Sequence, residues 1–215
     1  MNATKEKIEK LTTDGFKLDF GTIFEQAFEN YKKIALYAGS VLLISTFLFL
    51  ILLFGLGIAV FGVGTLVDFF KPGNLTPETF TGDFLLIYTA VVVFITCLTS
   101  PFHAGFLKMA YCGDKGEEFN LSTMFIYYKP PFFINIVGAT FLITALSTGI
   151  STLVDLAGVQ SIGIFTSLSI TFLTFLTIPL IVFGDLNAID GIKLSAQIIL
   201  KQPLLILALI IVSFL

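Results

Sequence analysis

Residues 34–62 read IALYAGSVLLISTFLFLILLFGLGIAVFG, a run of apolar and small side chains without a single charge. A helix needs about 20 such residues to cross a hydrocarbon core about 30 Å thick, so this run can span a bilayer with some tilt. Working outward, further apolar stretches lie at 84–108, 132–154 and 161–183, and a fifth begins at Leu204. Long continuous runs exclude barrel strands, which alternate in segments of about ten residues. Composition agrees: 56% of the 215 residues are hydrophobic, 13% are charged, and the mean hydropathy is +0.96. A soluble fold of this length has no interior large enough to hide that much apolar side chain. The sequence predicts an all-α fold, a polytopic transmembrane helical bundle.

The fifth run reaches only to Leu215. Its rise of about 18 Å is short of a bilayer, and no polar or aromatic anchor closes it, so the expectation is a chain cut inside a helix. About thirty largely polar residues precede the first run, which is itself too long for a signal-peptide core; the first span is expected to be an uncleaved anchor. There is no arginine, and eleven of the twelve lysines fall on one side of the predicted spans, Lys71 being the exception. By the positive-inside rule this places the amino terminus in the cytoplasm. The lysine-, isoleucine- and phenylalanine-rich, arginine-free composition suggests an AT-rich bacterial genome, and the expected location is the bacterial cytoplasmic (inner) membrane.

Polar connections between the runs carry helical periodicity. Leu18, Ile23, Phe24, Ala27, Phe28 and Tyr31 recur at helical spacing, with Asp19, Glu25, Glu29 and Lys32 on the other face, as in an amphipathic helix lying in the interface. Leu121, Met124, Phe125 and Tyr128 repeat the pattern before Lys129-Pro130-Pro131, and Leu186, Ile189, Ile192, Ala196 and Ile199 repeat it before Lys201-Gln202-Pro203. Pro101 and Pro179 stand at matching depths in the returning spans and are expected to kink them. Three repeats of interfacial helix plus membrane hairpin follow, the last one truncated. Within a single membrane domain, 1–215, the expected order is a cytoplasmic segment with an amphipathic helix (1–33) and a first hairpin (34–112). Next come a cytoplasmic connection with a second amphipathic helix (113–131), a second hairpin (132–184), a third amphipathic helix (185–202) and the start of a further span (203–215).

The stretch from Pro179 to Ser195 adds a resemblance. Its order of proline, aliphatic pair, acidic residue, small-residue turn and a helix with a basic residue and a serine resembles the membrane domain of some glycerophosphoryl diester phosphodiesterases and related bacterial inner-membrane proteins. Pro179, Asp185, Lys193 and Ser195 match; Gly191 stands where alanine is usual, and the common tryptophan and closing glycine are missing. The resemblance implies six spans and no activity, because the phosphodiesterase chemistry of fused members belongs to a separate soluble domain.

Few residues suggest chemistry. His103 is the one clear ionisable group within a span, where burying a charge costs at least about 2.5 kcal/mol. It lies just past Pro101, whose ring frees the Cys97 carbonyl. The bland reading is a neutral histidine satisfying a neighbouring helix; the sharper one pairs it with Ser100 or Thr99. Thr140, Thr144, Ser147, Thr148, Ser151 and Thr152 form a hydroxyl stripe on span three, and Ser167, Thr171, Thr174 and Thr177 part of one on span four. These either face a hydrated pathway or pack helices. Gly55, Ala59 and Gly62 make a small-residue face on span one, expected to serve internal packing or a partner subunit. Cys97 and Cys112, about 22 Å apart on one helix, cannot pair and read as packing residues. Nucleophile-elbow, zinc-protease and paired-cysteine motifs are absent, and Gly62-Val63-Gly64 has no strand before it to make a dinucleotide motif.

No catalytic residue, metal or cofactor is expected. The primary reading is a non-enzymatic subunit or scaffold of a membrane complex, or a lipid-organising protein. The alternatives are a small-solute transporter or channel and, third, an intramembrane lipid enzyme. Expected partners are the lipid bilayer and another membrane protein or a second copy, with no nucleic acid.

Overall fold

The computed structural model describes residues 19–71, 83–156 and 160–213. The lysine- and glutamate-rich segment before Asp19, including Leu18, lies outside the described residues, as does the side chain of Thr152. Every regular element described is helical: α1 (Phe20–Phe69), α2 (Asp83–Lys115), α3 (Leu121–Met124), a 3-10 turn (Ile126–Tyr128), α4 (Phe132–Leu156), α5 (Gln160–Leu173), α6 (Thr177–Gly184), α7 (Ala188–Lys201) and α8 (Pro203–Ser213). Four stretches are long and apolar enough to cross a membrane: Ile34–Ala59, Thr89–Lys115, Phe132–Ser151 and Ile162–Gly184, the last running through α5 and α6. Counting the bent pair α7 and α8 as a span gives five. The chain is a multi-pass integral membrane protein with an all-α bundle.

Local chemistry sets the helix ends. Asp19 caps α1, its carboxylate accepting from the Thr22 amide at 2.9 Å. Gly116, at φ +68°, closes α2, and the Glu117 amide then reaches back to the Cys112 carbonyl at 2.9 Å. Asn120 and Thr123 cap α3 reciprocally. Asp185, in the left-handed region at φ 51°, ends α6, and Asn187 opens α7 by accepting from the Asp190 amide at 2.9 Å.

One boundary differs from expectation. The amphipathic stretch at 20–33 does not turn into the interface before span one; α1 runs through Lys32 without a break as far as Gly62. The other two corners have prolines that cannot continue an i to i−4 ladder: Pro130 and Pro131 precede α4, and Pro203 starts α8, which bends 99° from α7. The first corner has none. Instead Lys32 pairs with Glu29 at 3.7 Å and covers the Phe28 ring at 4.8 Å, both contacts within the helix. The break in α1 falls later, at Gly62 (φ 80°, ψ 154°). The second connection also differs: α2 extends to Lys115, and a four-residue helix with a 3-10 turn stands where a longer amphipathic helix was expected.

The core forms where α2, the 3-10 turn, α4, α6 and α7 meet. Ala104, Tyr127, Ile136, Ala139, Ile181 and Val182 make one buried cluster, joined at its edge by Phe132, Ile178, Ala188 and Ile192. This cluster lies at the end where Lys108, Lys115, Lys129, Lys193 and Lys201 border the helices, called here the lysine-rich end. α1 joins the bundle at the same end. There Gln26 and Asn30 donate to Asp114, each at 3.0 Å, and Tyr37 meets Phe119 edge-on at 5.4 Å.

Candidate functional site

Span four is interrupted. After Leu173 the chain leaves the helix for Thr174–Leu176 and re-enters at Thr177, so the break centres on Phe175, four residues before Pro179. A proline lacks the amide that would bond back to that residue. Ser195, fully buried on α7, spans the gap: its hydroxyl donates to the Leu173 carbonyl at 2.8 Å and accepts from the Leu176 amide at 3.1 Å. Gly191, one turn earlier, lets α7 come close; a Cβ there would stand 3.0 Å from Ile181 Cγ1 and 3.5 Å from the Thr177 carbonyl. The Thr177 hydroxyl is buried without a partner among the described residues. Its usual acceptor, the carbonyl four residues back, is that of Leu173, which Ser195 already uses. Ser195 and Pro179 therefore shape one joint, and Asp185 ends the short helix that follows it.

Pro101 behaves differently. α2 continues through it, and the Cys97 carbonyl that it frees accepts from the Ser100 hydroxyl at 2.8 Å. His103, one turn from that point, is exposed on the surface of α2 and has no hydrogen-bond or ion-pair partner among the described residues. It neither satisfies a neighbouring helix nor meets Ser100, which is buried, or Thr99, whose hydroxyl bonds back to the Ile95 carbonyl at 2.9 Å. The nucleophile and base of an intramembrane enzyme are not brought together here. Cys97 and Cys112 are buried free thiols.

Hydroxyls of spans three and four mostly hold helices. Ser147 and Ser167 hydrogen-bond across α4 and α5 at 2.9 Å, and Ser151 donates to the Gly163 carbonyl at 3.2 Å. Thr140 and Thr174 bond back to their own helices, at 2.9 and 2.7 Å.

Small residues divide into two groups. Gly55 has nothing within 4 Å of a built Cβ, the same is true at Gly62, and Ala59 is exposed. The internal packing expected of this face is absent among the described residues: α1 touches the bundle near its lysine-rich end, and the face lies beyond that contact. Three other glycines do make close contacts. A Cβ on Gly105 would lie 2.2 Å from the Met124 carbonyl oxygen, and one on Gly113 would lie 2.7 Å from Ile34 Cγ2; Gly191 is the third. No motif marks them, but a glycine inside a helical pattern costs about 1 kcal/mol against alanine and is itself the signal.

Two recesses stand out among the described residues. A polar one at the lysine-rich end, about 390 Å³, is bounded by Glu25, Gln26, Glu29, Asn30 and Asp114. An apolar groove of about 800 Å³ runs between α2 and α4. No group of three or more His, Cys, Asp or Glu side chains able to hold a metal occurs among the described residues. The chain matches no protein-family model, no curated protein and no solved structure.

Proposed function

We propose that this protein is a non-enzymatic subunit or scaffold of a membrane protein complex, in the bacterial cytoplasmic membrane with its amino terminus in the cytoplasm. The observation that carries the reading is span one. None of its most apolar window is buried against the rest of the chain, although its four companions share a packed end. Gly55 and Ala59 keep its far half open to close approach by another helix, and helices in lipid associate through such small-residue faces by van der Waals packing. Lysines on one side of the spans support the orientation.

A transporter reading draws on the interrupted fourth span, since transporters place broken helices at their sites. The hydroxyls that would line its path are engaged instead, Ser147 with Ser167 and Ser151 with Gly163. The subunit reading is therefore preferred.

Its test is cross-linking in native membranes with a photoreactive label carried on Gly55→Cys or Ala59→Cys, after Cys97 and Cys112 are replaced by alanine. A discrete stoichiometric adduct, to a second copy or to one other membrane protein, is expected at both positions. A cysteine at lipid-exposed Phe94 is the control. Adducts at neither site, or equally at all three, would overturn the reading.

A further inference from the structure

We infer that the groove between α2 and α4 holds one phospholipid acyl chain, with the lipid's anionic headgroup against Lys129. The groove lies wholly within two membrane-spanning stretches. Small residues, Ala90, Gly138, Ala145 and Gly149, leave it hollow. Its rim stands high: Phe94 is 66% exposed, Ile134 68% and Phe141 53%.

Three physical points select the occupant. Water needs two to four polar partners in a buried site, and of the lining side chains only those of Thr89, Cys97 and Thr148 carry a hydrogen-bonding atom, so the content is apolar. A second helix, about 10 Å across, approaches closely in lipid along an unbroken small-residue track; here Phe94, Ile134 and Phe141 interrupt the track, whereas a single methylene chain threads between them. The groove is walled on both sides from Thr89 to Cys97 of α2, about 12 Å of helical rise, close to the depth of the one leaflet that a single chain occupies, about half of a hydrocarbon core about 30 Å thick.

Charge fixes the direction. Lys129 is exposed and stands one turn before Phe133, the groove residue nearest the lysine-rich end of α4, whose amide donates to the Lys129 carbonyl at 3.3 Å. It has no ion-pair partner among the described residues, and an anionic phosphate complements it. The groove is lined by no residue of α1, so this inference goes beyond the subunit reading and stands or falls separately.

The chain has no tryptophan, so one introduced indole is an unambiguous reporter. Phe141→Trp places it in the groove, and Phe165→Trp, at a position 70% exposed on α5, places it against bulk lipid. Each variant is reconstituted in vesicles of phosphatidylcholine and phosphatidylglycerol with brominated acyl chains, then extracted into mild detergent and passed through gel filtration. The groove reporter is expected to stay quenched with about one brominated lipid per chain, and the α5 reporter to recover its emission. Ala145→Phe should abolish the retained quenching with the helical circular dichroism unchanged. If that variant fails to fold, Gly149→Leu fills the other end of the groove. Lys129→Gln should lower retention of phosphatidylglycerol at least fivefold. The inference is overturned if both reporters recover together, if retained quenching survives the filled groove, or if the groove reporter is never quenched because protein covers it.

Discussion

Ser195 holds two backbone groups that the interruption of span four would otherwise leave bare, the Leu173 carbonyl and the Leu176 amide. A buried donor or acceptor left unpaired costs about 1–3 kcal/mol, so Ser195→Ala should lower stability by that order in thermal unfolding in detergent. His103→Ala, at an exposed residue without partners, should stay within about 0.5 kcal/mol. Equal effects from the two would mean that the joint is not where the fold is held. Tyr127 gives a pH signature. Burial, and then the charge of Cys112, pushes its phenol from 10.0 up to about 12. A folded value above the unfolded one favours the neutral phenol in the fold. That stability is complete below pH about 10 and is lost as pH rises through about 12. Over this window the wild type should lose more stability than Tyr127→Phe; parallel profiles would show that the phenol is not held neutral. At this scale the sequence was a poor guide. His103 stood out by its charge and lies exposed, whereas Gly105 carried no motif and meets the Met124 backbone. Chemical type is written in the chain, but which residues meet depends on how helices cross.

Elements were far more legible, because lipid turns length and apolarity into position. The four apolar runs became the four spans, three of them within about three residues and the second shifted to Thr89–Lys115, ending seven residues later than expected. The corners before α4 and α8 were readable from proline, which ends a ladder locally. The first was misread because an amphipathic pattern looks the same in a helix lying on a membrane and in one docking its polar side elsewhere. In α1 that polar side supplies Gln26 and Asn30 to Asp114. Spin labels at Glu25 and Ser45 separate the two geometries. A continuous helix puts these positions about 30 Å apart by axial rise, and a right-angle corner at Lys32 puts them about 22 Å apart. Pulsed-EPR distances near the longer value are expected, and a distribution centred on the shorter one would restore the interfacial helix.

At the scale of the whole molecule the protein divides into a packed end, where α2, α4, α6 and α7 meet, and a long first helix that meets the bundle mainly along α2 and, over a smaller contact, at α8. Its fastening at the end of α2 has three parts: Asp114 accepting from Gln26 and Asn30, Gly113 giving room to Ile34, and Tyr37 against Phe119. The rest of the bundle has its own contacts, Ser147 to Ser167 across α4 and α5 towards the far end and the Ser195 bridge between α5 and α6 nearer the packed one. Lipid solvates an apolar helix as well as protein does, so detaching α1 exposes no apolar surface to water and costs only its local contacts. Gly113→Leu with Asp114→Ala removes two of the three, a leucine at 113 driving directly into Ile34, and the cysteines that report on the contact replace the third. In this double variant, with native cysteines replaced by alanine, the cysteine pair Tyr37→Cys and Phe119→Cys should lose its oxidative cross-link. The pair Ser147→Cys and Ser167→Cys should keep its own. Loss of both would mean that α1 is part of one cooperative core, and retention of both would mean that its contact with α8 suffices to hold it. Release of α1 alone would identify the first span as an arm that packs independently of the bundle, the property a subunit needs to present one helix to a partner while the rest stays folded.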